Sequence, residues 1–140
     1  MARIRIELPE RWHFETEFPV RIGDINFGNH LAHDAIVTLL HEARALFFKE
    51  YGWHELNIEG KGIIMADIGI MYLAEAFHGD MLRYEITARD FSTKGYDLIY
   101  RVSRVDDDRE VVRAKTGIVF FDYEAREPVA IPEAFLRIFE

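Results

Sequence analysis

Val20-Arg21-Ile22-Gly23-Asp24-Ile25-Asn26-Phe27-Gly28-Asn29-His30-Leu31-Ala32-His33-Asp34 is the stretch on which the fold turns. Leading into it, Phe14, Thr16, Phe18, Val20 and Ile22 alternate with Glu15, Glu17 and Arg21, the period-two signature of a strand with one buried face. Pro19 has no N–H to donate, so this strand belongs at a sheet edge. Beyond the stretch, Ala32, Ile36, Leu39, Leu40, Ala43 and Phe47 recur at steps of three and four, the broad apolar stripe of a helix. Asp34 lies in or just before its first turn and Gly52 ends it. The quoted residues therefore read as strand end, tight polar turn and helix start.

Asp24, Asn26 and His30 place three side chains able to hold or relay protons within seven residues of that junction. The first amides of a helix lack intrahelical partners and carry the positive end of its dipole. N–H groups near Gly28, Asn29 and His30 therefore suit an acyl carbonyl or a developing oxyanion. Gly28 in addition lets a ligand approach the backbone closely. Asp24 and Asn26 are equally the residues a turn uses to bond its own backbone. His30, His33, Asp34 and His41 match no zinc signature, so no metal is expected.

Working outward, four more strands follow the helix: Ile63 to Tyr72, Leu82 to Phe91, Gly95 to Val105 and Glu110 to Tyr123. Ser92-Thr93-Lys94 and Asp106-Asp107-Asp108 read as hairpin turns, and Pro132 opens a short C-terminal helix at its first position. Asp67 is a carboxylate inside an apolar run, hence a second candidate acid; if structural, it needs a partner such as Arg44 or His41. One strand, one long helix and four strands predict an α+β domain spanning 1–140, its five-stranded antiparallel sheet wrapped around one central helix.

Composition narrows the function. With 49% hydrophobic and 14% aromatic residues the 140-residue chain builds a real core. A net charge of −8 argues against nucleic acid as a partner. The absence of cysteine excludes disulfides, thiolate metal sites and thiol nucleophiles. No apolar run reaches spanning length and the charged N-terminus has no apolar leader, which points away from the membrane and towards the cytoplasm.

The element order and the opening motif resemble the hotdog fold, specifically the acyl-CoA thioesterases related to 4-hydroxybenzoyl-CoA thioesterase. The likeness runs over about residues 13–135. It rests on Val20-Arg21-x-x-Asp24-x-Asn26 with His30 six residues after Asp24, then on Glu42-Ala43-Arg44 in the helix. Tyr72 with Ala76, Gly79-Asp80 and Ile131-Pro132 complete it. The resemblance implies hydrolysis of a thioester carried by coenzyme A or an acyl carrier protein, with coenzyme A entering as part of the substrate and no separate cofactor. It also implies pairing of two domains edge to edge, as a homodimer or homotetramer, with the cleft built from both. The apolar edge from Ile63 to Tyr72 is the strand suited to this.

The motif departs from that family at one position. Where these thioesterases usually carry a second Asp, this chain has Asn26, whose amide cannot take a proton from water. A His at the spacing of His30 also occurs in plant acyl carrier protein thioesterases, beside an Asn and an acidic residue. The resemblance thus implies His30 as base, Asn26 positioning carbonyl or water, and Asp24 orienting the imidazole. Phe27 is a candidate wall of the acyl site, and Lys94, with Arg101, Arg104 and Arg113, a candidate contact for phosphates. Two other readings stay open: a hydratase or dehydratase acting on enoyl-CoA, and a non-catalytic acyl-CoA-binding domain.

Overall fold

Helix α1, Ala35–Glu50, buries Ile36, Leu39, Leu40, Ala43, Phe47 and Phe48 completely or nearly so. Asp34 is its N-cap, accepting from the Ala35 N–H at 3.1 Å. Gly52 takes a positive φ just beyond Tyr51 and closes the far end, as its lack of a Cβ permits.

In the computed structural model, which describes residues 1–140, a sheet covers that apolar stripe. Its strands are β1 (Phe14–Pro19), β2 (Gly62–Tyr72), β3 (Met81–Arg89), β4 (Gly95–Arg104), β5 (Glu110–Asp122) and β6 (Glu127–Pro128). The order is β1-β3-β4-β5-β2, all antiparallel, with β6 paired to β5. Alternation works as the sequence predicts. Leu82, Tyr84 and Ile86 of β3, Tyr96, Leu98 and Tyr100 of β4, and Val112, Ala114 and Ile118 of β5 are buried. Pro19 indeed lies on an edge strand.

The sheet has six strands, not the expected five. β5 outruns the end of β4, and a turn at Asp122, whose carboxylate accepts from the Glu124 and Ala125 amides, folds β6 back onto it. A two-residue strand is too short to show a period. The C-terminal helix α2, Glu133–Arg137, starts one residue later than expected, because Pro132 is an extended cap.

Two features were invisible to periodicity. Residues 3–13 form no strand, yet they lie as a strap along the outer face of the sheet. Arg113 donates to the Ile6 carbonyl (3.2 Å), Arg89 to that of Glu7 (2.6 Å), and His13 meets Thr87 at 2.6 Å. Inside, a polar chain crosses the core: Thr116 to the Tyr100 phenol (2.8 Å), Tyr100 to Arg44 (3.2 Å), Arg44 to Glu55 (2.7 Å). It ties helix, sheet and the loop after the helix together. Burial pushes the Tyr100 phenol up, so it stays a neutral link in this chain.

Candidate active site

Residues 24–32 form a small hairpin in front of α1 rather than its first turn. The Ala32 amide donates to the Asp24 carbonyl (2.8 Å), Ile25 faces Leu31, and the Asn26 amide donates to the His30 carbonyl (3.1 Å). Its tip is Asn26 to His30, where Asn29 adopts φ 65°, a conformation Asn tolerates. The helix therefore begins five residues after His30. The amides of Gly28 and Asn29 are taken up inside the turn, by the Asn26 side-chain and main-chain oxygens at 3.0 and 2.9 Å. Those of His30, His33 and Asp34 make no hydrogen bond within the chain. The free donors lie further along the chain than the sequence suggested, nearer the true helix start.

Asp24 is 4% exposed and its carboxylate accepts from the Arg21 amide (2.8 Å) and guanidinium (3.2 Å). It pins the short 3-10 turn Ile22–Asp24 at the end of β1 and does not reach the imidazole. The His30 Nδ1 instead lies 3.2 Å from the Leu31 carbonyl. An Nδ1–H donated there leaves Nε2 as an acceptor. A Cβ on Gly28 would sit 2.8 Å from that Nε2 and 3.3 Å from the Asn26 Oδ1. Glycine at position 28 is thus what lets ring and amide stand side by side.

Asn26 and His30 open onto a cavity of about 220 Å³. Leu31, Ala32, Ile36, Ala74, Ala76, Val111 and Val112 give it apolar walls, and His33, Tyr72 and Glu75 supply the other polar groups. Tyr72 closes the end of β2 over the site, its phenol donating to the His33 carbonyl at 2.7 Å. Burial, and then the Asp34 carboxylate, push that phenol above its usual range and keep it a donor. The Leu31 amide donates to the Ala76 carbonyl (2.7 Å), which joins the loop after β2 to the hairpin. Glu75 escaped sequence reasoning: it sits in a loop with no period, and only the Tyr72–Ala76 match placed that loop near the motif.

The other predicted residues lie elsewhere. Strict alternation would put Asp67 on the core face with Ile63 and Met65. A bulge between Met65 and Asp67 reverses the parity and turns it onto the outer face. There it pairs with Lys115 (2.8 Å) and accepts from the Gly117 amide (2.9 Å). Arg44 and His41, its expected partners, both face Glu55. The ion pair with Lys115 is the main cause holding the Asp67 carboxyl below its usual range. Phe27 is fully exposed at the hairpin tip. Lys94 sits in the β3–β4 turn, beside Gly95 and Phe120, at the opposite end of the sheet from Tyr72 and Val112. Arg101, Arg104 and Arg113 are paired with Glu85, Asp107 and Glu110. No group of His, Asp and Glu side chains is arranged to hold a metal ion.

A single long helix held in an antiparallel sheet, with a cavity at the helix start, defines a hotdog domain. Residues 20–139 match the profile of the Thioesterase-like superfamily, and the chain belongs to that family. Among solved structures it is similar to a 1,4-dihydroxy-2-naphthoyl-CoA thioesterase from Synechocystis (TM-score 0.81, 20% identity, covering 89% of this chain and 93% of that one). It is also similar to a gentisyl-coenzyme A thioesterase (0.76, 17%, 88% and 99%) and to the DHNA-CoA thioesterase from Staphylococcus aureus (0.77, 13%, 89% and 87%). No curated protein sequence matches the chain. No helix is long and apolar enough to cross a membrane.

Proposed function

We propose that the chain hydrolyses an acyl-CoA thioester in the cavity beneath the hairpin. The observation that carries this reading is the juxtaposition of Asn26, His30 and Glu75 with apolar walls and unpaired amides at the start of α1. Membership of the thioesterase family supports the same reaction.

The thioester carbonyl oxygen lies against the free His30 and His33 amides and the Asn26 carboxamide, where the dipole of α1 favours negative charge. The His30 Nε2 takes a proton from water as the water oxygen bonds to the carbonyl carbon. The tetrahedral oxyanion then re-forms the carbonyl, the C–S bond breaks, and the imidazolium returns its proton to the departing sulfur. Glu75 supplies the carboxylate that steadies the imidazolium, the role expected of Asp24, which is committed to Arg21.

A cavity of about 220 Å³ is smaller than the ~300–1,000 Å³ of drug-sized ligand sites. It suits a short or single-ring acyl group better than a long chain. The single-ring gentisyl group in the name of one structural neighbour supports this choice, whereas the naphthoyl group in another's name is two fused rings. The active unit is a homodimer. Strand β2 has no neighbour on its outer side, and Ile64, Met65 and Ile68 are exposed along it, an edge that pairing with a second copy covers.

A thiol-release panel across short, medium, long and aromatic acyl-CoAs tests the reading. Release from short or aromatic members is expected. Turnover of enoyl-CoA without free thiol would make the chain a hydratase. Saturable binding with no turnover anywhere would make it a binding domain.

A further inference from the structure

The basic residues expected at the phosphates are neutralised by acids or lie far from the cavity, which raises the question of where free positive charge remains. Most cations of this acidic chain have a carboxylate partner. Arg3 and Arg5 have none, nor do Arg11, Lys49, Lys94, Arg109 and Arg126; Arg3 and Arg5 are two residues apart on the strap. Together with Glu7 and with Arg113, itself held by Glu110, they line one cleft of about 320 Å³ that also touches Met71. The cleft lies on the outer face of the sheet and the reaction cavity on its helix side, with Tyr72 at the sheet edge between them: the Arg3 guanidinium donates to the Tyr72 carbonyl at 3.3 Å, while the Tyr72 ring is part of the cavity wall. Ile6, buried against the sheet, and the bond from Arg113 to its carbonyl hold this part of the strap in place.

We propose that Arg3 and Arg5 bind the phosphates of the nucleotide half of coenzyme A, while the acyl group occupies the cavity on the other side of Tyr72. This rests on the thioester reading above and extends it to the leaving group. A guanidinium carries five donors, so the single bond from Arg3 to Tyr72 leaves most of its fork free for phosphate. An acyl carrier protein would bring a single phosphodiester on its prosthetic arm, whereas coenzyme A brings a diphosphate and a 3′-phosphate to the two guanidinia.

The test compares coenzyme A with pantetheine, which lacks the phosphates, by calorimetric titration of the full chain and of R3A/R5A. The wild type is expected to bind coenzyme A roughly tenfold or more tighter than pantetheine, the worth of one or two charge-assisted hydrogen bonds. The double variant is expected to lose that preference, to keep its affinity for pantetheine, and to recover part of the preference as R3K/R5K. Equal binding of the two ligands by the wild type overturns the proposal. So does an equal loss for both in the variant, which would make the arginines mere pins for the strap. A preference that survives in R3A/R5A, or a defect seen only with acyl carrier protein, overturns it as well. Because binding is read without turnover, failure of hydrolysis and failure of this subsite are separately visible.

Discussion

At the scale of single residues, the proposed chemistry depends on the His30 ring and on what lets it stand where it does. Replacing His30 by Ala removes the proposed base and is expected to lower kcat/KM by roughly two to four orders of magnitude, with thermal stability little changed because the half-buried ring bonds only the adjacent Leu31 carbonyl. Near-wild-type kinetics would eliminate the assignment. Gly28→Ala puts a methyl 2.8 Å from the Nε2 and must displace the ring. A misplacement of this size is expected to cost roughly ten- to a hundredfold in kcat, with the circular dichroism spectrum unchanged. Asp67 behaves differently. Its carboxyl is held down by Lys115, so what it contributes is present above the ordinary carboxylate range and fades as pH falls through its lowered folded value. Asp67 is exposed and Lys115 keeps Asp97 as a partner, so Asp67→Asn should cost roughly 0–1 kcal/mol, chiefly at neutral pH, and thiol release should persist. A collapse of kcat in that variant would return Asp67 to the mechanism.

At the scale of elements, the polar chain from Thr116 through Tyr100 and Arg44 to Glu55 fixes α1 against β4 and β5. Arg44→Ala takes one partner from the Tyr100 phenol, which keeps Thr116, and one from the partly exposed Glu55, which keeps His41, and is expected to destabilise by about 1–3 kcal/mol in denaturant titrations. A loss under 1 kcal/mol would show that the network idles. These elements also show what the sequence could reveal. Helix α1, the edge position of β1 and the inward faces of β3 to β5 were legible because burial writes a period of 3.6 or 2 into the residues. The bulge before Asp67 was not, since one extra residue changes which face every later side chain takes without changing composition. Nor was the aperiodic strap, or Glu75 in its loop. Asn26 and His30 were read from their spacing, but the hairpin that carries them shifts the open amides to His30, His33 and Asp34.

At the scale of the whole molecule, the proposed pairing and the proposed coenzyme A contacts lie on the bare edge of β2 and on the strap behind it. Light scattering at micromolar concentration is expected to give twice the 16.4 kDa chain mass, or four times if dimers pair further. A monomer would contradict the proposed pairing along Ile64, Met65 and Ile68. The claim to which all else is attached is that a thioester carbonyl sits over the start of α1, between Asn26 and His30. A crystal structure with a non-hydrolysable ketone analogue of a short or aromatic acyl-CoA tests it most directly. The analogue oxygen is expected roughly 2.7–3.1 Å from the His33 or His30 amide, with the acyl group against Ile36 and Val112. An analogue seated elsewhere, for example in the groove between β1 and α1 lined by Arg21 and Glu42, would contradict the account.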